Sequence, residues 1–181
     1  MIDYKILVEK AQAGDTDAFG TIYNELYSPV FKYAYVRTRD KEHSEDIAGE
    51  VFLKFFSSLS SYSSQKETPL NYLFTITRNL LINSGKKKKA DLFDEGMEEM
   101  VKDETPDQLH QSMHTEETAY ILSKLSLIQD DQREVIELKF LSELSTKEVA
   151  DILSKTEANV RQLESRGLRQ LRELCSQEIH E

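Results

Sequence analysis

Residues 144–174 read LSTKEVADILSKTEANVRQLESRGLRQLREL, and the spacing inside this run decides the fold of the second half of the chain. Ser145 followed by Glu148 is a capping box, which satisfies two orphan amide donors at once and starts a short helix reaching about Leu153. Ser154, Lys155 and Thr156 form a three-residue turn, and the Thr156 hydroxyl can cap a second, longer helix. Short helix, tight turn and longer helix give helix-turn-helix spacing.

On a wheel at about 100° per residue the second helix gathers Val160, Leu163, Gly167, Leu171 and Leu174 in one arc. Ala158, Arg161, Gln162, Ser165, Arg166, Arg169 and Arg172 fill the opposite arc, and Glu157 and Glu164 project elsewhere. Arginine pairs bidentately with guanine and glutamine with adenine, while small side chains permit close approach, so this face suits a major groove. The alternative is an amphipathic helix with a solvated basic face, as in many bundles. Upstream, helices are expected near Thr118 to Leu127 and Asp131 to Leu141.

The same periodicity runs through the first half, and no alternating strand pattern appears, so the expected fold class is all-α. Ala18, Phe19, Ile22, Tyr23, Leu26, Tyr27, Val30, Phe31 and Ala34 make one stripe, with Pro29 placed to bend or divide it. A helix over about Lys41 to Leu59 puts Ala48, Val51, Phe52, Phe55, Phe56 and Leu59 on one side. Asp46, Glu50, Leu53 and Lys54 fall on the other, where an apolar leucine beside two carboxylates marks either a partner surface or a solvated face.

The serine-rich SSLSSYSSQKETP follows, a loop too polar to pack, with Tyr62 its lone aromatic. A helix restarts at Thr68-Pro69, a hydroxyl cap followed by proline where the missing N–H is harmless. Leu73, Ile76 and Leu80 define its inner face, leaving Asn71, Thr75, Arg78 and Ile82 outward and Tyr72, Asn79 and Asn83 on the flank. It ends in Gly85 and the run Lys86, Lys87, Lys88, Lys89. From Arg78 to Lys89 there are five positive charges and no negative one. This is either a strip that tracks phosphates beside bases that tyrosine and asparagine can engage, or a lysine run stabilised at a helix C-terminus.

The 181 residues carry a net charge of -10, which would ordinarily argue against a polyanionic partner. Its distribution is uneven, so the flanks must be read separately. Residues 1–90 hold 13 basic and 11 acidic groups, 91–116 hold 1 and 9, and 117–181 hold 9 and 13. The deficit is concentrated in ADLFDEGMEEMVKDETPDQLHQSMHTE, which has no sustained periodicity and reads as an acidic tether. The expected organisation is a helical domain over 1–90, a flexible linker over 91–116 and a helix-turn-helix domain over 117–181.

Other features add little. One cysteine excludes an intrachain disulfide framework, and Cys175 is expected on the packed side of the last helix. No apolar run is long enough to span a membrane, and the start MIDYKILVEK lacks a signal segment, so the expected compartment is the cytoplasm. His110 and His114 have i, i+4 spacing but no third ligand, so no metal site is expected. No nucleophile–base pair or phosphate-cradling glycine loop emerges, so neither an enzyme nor a cofactor is expected.

Together these features resemble a bacterial sigma factor of the extracytoplasmic-function group, over most of the chain. AFGTIYNELYSPVFKYAY, SEDIAGEVFLKFF and TPLNYLFTITRNLLINSGKKKK look like successive parts of the family's region 2. LIQDDQREVIELKFLSELSTKEVADILSKTEANVRQLESRGLRQLR is similar to its region 4. The resemblance implies two small helical domains that bind core RNA polymerase, direct it to promoters and help open the duplex.

By the same resemblance, Asp46, Glu50, Leu53 and Lys54 dock on the polymerase clamp. Tyr62, Asn71, Tyr72, Arg78, Asn79, Asn83 and Lys86 to Lys89 capture the non-template strand of the -10 element. Thr156, Ala158, Asn159, Arg161, Gln162, Ser165, Arg166, Arg169 and Arg172 read the -35 element, and the acidic tether threads near the RNA exit path. An anti-sigma protein that masks both domains is a further implied partner. Tyr72 stands where the family usually has tryptophan, Gly49 where glutamine is common, and Asn83 where aspartate is frequent. Two other readings fit parts of the chain: a module that sequesters an anti-sigma protein without DNA, and a stand-alone helix-turn-helix regulator. The first leaves the arginines and lysines without a task, and the second leaves the first half without one.

Overall fold

A computed structural model describes residues 2–63, 68–91 and 116–177; within these, the side chains of 85–91, 116, 117, 141 and 177 are not described. The chain divides into two compact units, Met1–Glu104 and Thr105–Glu181. Regular structure among the described residues is entirely helical. The tether expected over 91–116 lies outside them except for its two ends.

In the first unit α1 spans Tyr4–Gln12, α2 Thr16–Thr38, α3 Lys41–Ser58 and α4 Pro69–Asp91, with a single tight turn at Leu59–Ser61. Short acceptor side chains set each start. Asp3 Oδ1 accepts from the Lys5 and Ile6 amides (3.0 and 3.3 Å), Asp15 Oδ1 from Asp17 and Ala18 (3.0 Å each), and Asp40 Oδ1 from His43 (3.0 Å). Thr68 Oγ1 accepts from the Asn71 amide at 3.2 Å, as the hydroxyl cap predicts. Each such cap is worth about 1 kcal/mol, and the carboxylates also face the positive end of the helix dipole.

Helix α2 is the hub, packed against α1, α3 and α4. Pro29 neither ends nor divides it. The missing hydrogen bond is outweighed because Val30, Phe31 and Ala34, just beyond the proline, are buried in the core. Ile22, Val51, Phe55, Leu73 and Phe74 complete that core.

Several expectations require correction. Tyr23, placed on the buried stripe, is exposed, although its ring packs at a tilt against Phe52 with centroids 4.7 Å apart. Phe56, placed on the packed side of α3, is 56% exposed, because adjacent residues on a helix diverge by about 100° and Phe55 takes the core. On α4 the inner row is Leu73, Phe74, Thr77 and Leu81, with Ile76 and Leu80 only half-buried. This helix packs on both α2 and α3, so its buried arc is wider than a single stripe. The same wrapping buries Asn71, expected to face outward, to 5% exposure.

Nor is the serine-rich segment unpacked, since Leu59 and Tyr62 are both buried. The α4 backbone does not stop in the lysine run; it stays helical to Asp91. Helix α1 was not expected, although Tyr4, Leu7, Val8 and Ala11 have helical spacing behind an aspartate cap.

In the second unit α5 spans Glu116–Leu125, α6 Asp130–Ile136, α7 Thr146–Leu153 and α8 Glu157–Gln177. After α6 the chain widens into a π-type turn over Glu137–Leu141, where the helix expected to reach Leu141 leaves α-helical geometry. Leu122, Leu125, Val135, Leu138, Val149, Ile152 and Val160 form the core. Among the described residues no helix is long and apolar enough to cross a membrane, and no group of three or more potential ligands could hold a metal. His110 and His114 lie outside the described residues.

Candidate nucleic-acid and partner interfaces

The helix-turn-helix is built as its local chemistry dictates. Ser145 Oγ accepts from the Glu148 amide (3.2 Å), and Glu148 Oε2 accepts from the Ser145 amide (2.8 Å), completing the capping box. The turn reverses at Ser154, whose φ of 53° is left-handed, and closes where the Lys155 amide donates to Ala150 O at 2.9 Å. Thr156 Oγ1 then accepts from the Asn159 amide at 3.2 Å and starts α8.

Tertiary braces fix the orientation of the motif. Lys155 Nζ reaches Asp131 Oδ2 at 3.2 Å, tying the turn to the start of α6. Lys139 Nζ, on the π-type turn, bonds Thr146 Oγ1 at 3.0 Å and lies 3.9 Å from Glu164 Oε1, so one ammonium holds α7 and α8 together. On the inner side α8 packs on α6 at Gly167, where an added Cβ would crowd the side chains of Ile136 and Gln132.

With that scaffold set, Thr156, Ala158, Asn159, Arg161, Gln162, Ser165, Arg166, Arg169 and Arg172 are all exposed. Val160 and Gly167 are buried, and Leu163, Leu171, Leu174 and Cys175 half-buried, behind them. Four guanidiniums therefore stand on one open helix face, a distribution that attracts phosphate and can address base edges. Glu164 turns inward to Lys139, but Glu157 does not project away from the arginines. Its Oε2 accepts from Arg161 Nη2 at 2.6 Å.

The first unit presents two further surfaces. On α3, Asp46, Glu50, Leu53 and Lys54 are all exposed. Leu53 is 66% exposed, and the edge of Phe56 joins it one turn on, propped at 5.0 Å by Phe19. Glu50 and Lys54 pair at 3.2 Å beside the patch, but at this exposure the pair adds little to stability. An apolar pair rimmed by charge fits a protein partner. Phe56 was missed as part of this face because the i, i+3 row from Leu53 competes with its neighbour Phe55 for the core stripe.

On α4, Asn79 and Asn83 are exposed one turn apart, and the backbone register continues their row to Lys86 and Lys87. The side chains of Lys86, Lys87, Lys88 and Lys89 lie outside those described. Arg78 is half-buried. Tyr62 and Asn71, expected to meet bases directly, are inside. The Tyr62 ring stands edge-on to Phe55 (5.4 Å) and Tyr72 (5.2 Å) and is only 9% exposed. Its carbonyl and that of Leu59 each accept from Gln12 Nε2 at 2.8 Å, which pins the start of the serine-rich segment to α1. Tyr72 is half-buried and donates from its hydroxyl to Ser58 Oγ at 3.1 Å. The two tyrosines thus belong to a supporting aromatic cluster, and the α4 row of asparagines is the open part of this surface.

Comparisons with known proteins agree with this geometry. The Sigma-70 region 2 family profile matches residues 22–91, and the Sigma-70, region 4 profile matches residues 125–173. The chain is 31% identical over 169 residues to the ECF RNA polymerase sigma factor BldN of Streptomyces coelicolor, spanning 93% of this chain and 64% of BldN. It is 26% identical to the ECF RNA polymerase sigma factor SigM of Bacillus subtilis, over 88% of this chain and 96% of SigM.

The fold is similar to that of CnrH, solved in complex with the cytosolic domain of CnrY, with a TM-score of 0.74 and 19% identity, over 96% of this chain and 97% of CnrH. It is also similar to that of the sigma factor RpoE of Bartonella quintana, solved with the anti-sigma factor NepR, with a TM-score of 0.71 and 21% identity, over 87% of this chain and 96% of RpoE. With region 2 ahead of region 4 on a chain that aligns over most of its length with BldN and SigM, the protein belongs to the extracytoplasmic-function group of RNA polymerase sigma factors.

Proposed function

We propose that this chain is the promoter-specificity subunit of RNA polymerase: it binds the core enzyme, reads two promoter elements and assists opening of the duplex between them. The single observation that carries this reading is the α8 face, where every residue expected to meet DNA is open to solvent on a braced helix-turn-helix. Arg161, Arg166, Arg169 and Arg172, with Gln162 and the small Ala158 and Ser165, address the duplex -35 element. Asn79, Asn83 and the row of lysines from Lys86 to Lys89 engage the opened -10 strand. The Phe55–Tyr62–Tyr72 cluster and Asn71 shape that surface from behind.

Extruding a base costs a few kcal/mol, which stacking and hydrogen bonding to the unpaired strand can offset. Leu53 and Phe56, with Asp46, Glu50 and Lys54 around them, form the surface for core polymerase. The acidic residues 91–116 join the two units in the chain and, being negatively charged, are repelled by DNA phosphates. The place of work is the cytoplasm, and the chain carries out no bond chemistry of its own. An anti-sigma protein completes the set of partners, after the pattern of RpoE solved with NepR.

The test is reconstitution. Full-length chain added to core polymerase and a library of promoter fragments should yield transcripts from a defined subset. A folded chain that supports none, or that selects duplex DNA equally well without core polymerase, overturns the proposal.

A further inference from the structure

Glu157 is the carboxylate that α8 carries in its first turn, where the helix dipole favours an acid but a nucleic-acid partner does not. The N-terminal residues of such a helix are those that enter the groove. A negative charge in that position meets the phosphates of every DNA sequence, cognate or not, and weakens binding to all of them. The other carboxylate in this half of the helix, Glu164, is turned away toward Lys139. Glu157 instead stays exposed one turn from Arg161, with Oε2 2.6 Å from Arg161 Nη2.

We infer that Glu157 is a positioning residue for upstream recognition, a role that rests on the promoter reading above. It holds the Arg161 guanidinium in one pose on the groove-facing side and sets a penalty on DNA that does not engage that arginine. An unrestrained arginine samples many rotamers and serves any phosphate in reach. Pinned through one nitrogen, it offers its remaining N–H donors as a fixed fork, the geometry that matches O6 and N7 of a guanine. The carboxylate can also accept from the N4 amine of a cytosine, so the two side chains together favour a G·C pair at one position. As an exposed i, i+4 ion pair the contact adds little to the stability of the helix. Its consequence therefore lies in selectivity.

The experiment uses holoenzyme assembled from the full chain and core polymerase, with a promoter library randomised over the upstream element. Retained DNA is sequenced for the wild type, Glu157→Gln, Arg161→Ala and the double variant. Glu157→Gln should lower the preference at one G·C pair by about fivefold or more, the low end of a lost base contact, and raise retention of scrambled upstream elements. Arg161→Ala should erase the preference at that same pair, and adding Glu157→Gln to it should change nothing further there.

An unchanged preference in Glu157→Gln, while the wild type remains selective, overturns the inference and leaves the promoter reading standing. So does a thermal-unfolding shift with no change in preference, which would mark a helix-capping residue. A wild type without any upstream preference would instead bring down the promoter reading itself.

Discussion

Gly167 lies against Ile136 with no room for a side chain: a Cβ added there would stand 2.7 Å from Ile136 Cδ1 and 3.2 Å from Gln132 Cβ. Ile136 and Gln132 are both buried, and Gln132 Cβ is fixed to the α6 backbone, so seating an alanine requires the end of Ile136 to turn and α6 to shift by a few tenths of an ångström. This contact sets how closely helix α8 seats on α6, and through it where the arginines stand.

Gly167→Ala should therefore destabilise the protein, since a steric cost of about 1 to 3 kcal/mol exceeds the roughly 1 kcal/mol that alanine gains in helix propensity. Gly20→Ala provides the contrast. It also lies within a helix but has nothing within 4 Å of the added carbon, so it should stabilise by about 0.5 to 1 kcal/mol. Urea unfolding of the two variants checks the opposite signs.

Leu53→Asp should leave the melting temperature near that of the wild type, because the side chain is largely in solvent already. It should weaken association with core polymerase by at least about tenfold if this patch anchors the interface. Phe56→Ala should behave similarly toward polymerase but cost some stability, because it also removes the contact with Phe19. Pull-down titrations against core enzyme, paired with thermal melts, separate the two effects.

Gln12→Ala removes the donor shared by Leu59 O and Tyr62 O. Losing two hydrogen bonds at a partly buried site should cost about 1 to 2 kcal/mol. Hydrogen exchange should then rise at the amide of Tyr62, which bonds to Ser58 O and Leu59 O, before it rises in the core of α2. An unchanged rate at Tyr62 would show that the tight turn holds without α1.

Replacing Lys86 to Lys89 by glutamine should weaken binding to open promoter DNA and flatten its salt dependence by about 0.7 for each strand phosphate no longer neutralised. Filter-binding measurements across a range of salt concentrations give the slope directly. An unchanged slope would place these lysines away from the DNA.

Much of this protein was legible in its residues because the relevant signals are local. Ser145 with Glu148, Thr68 ahead of Pro69, and the arc of Arg161, Ser165 and Arg172 each depend on neighbours within about one to three helical turns, where sequence spacing translates directly into geometry. Helical class and the exposure of the α8 arginine face followed from such patterns alone.

Tertiary packing decided what spacing leaves degenerate. Which of Phe55 and Phe56 enters the core, and whether Asn71 faces in or out, depends on how many partners a helix touches; α4 packs on two sides and so buries a wider arc than one stripe. The Gln12 clamp joins residues about fifty positions apart, and the Gly167–Ile136 approach joins two helices. Such contacts exist only once the chain has closed on itself, because they are set by distances between elements that no local repeat encodes.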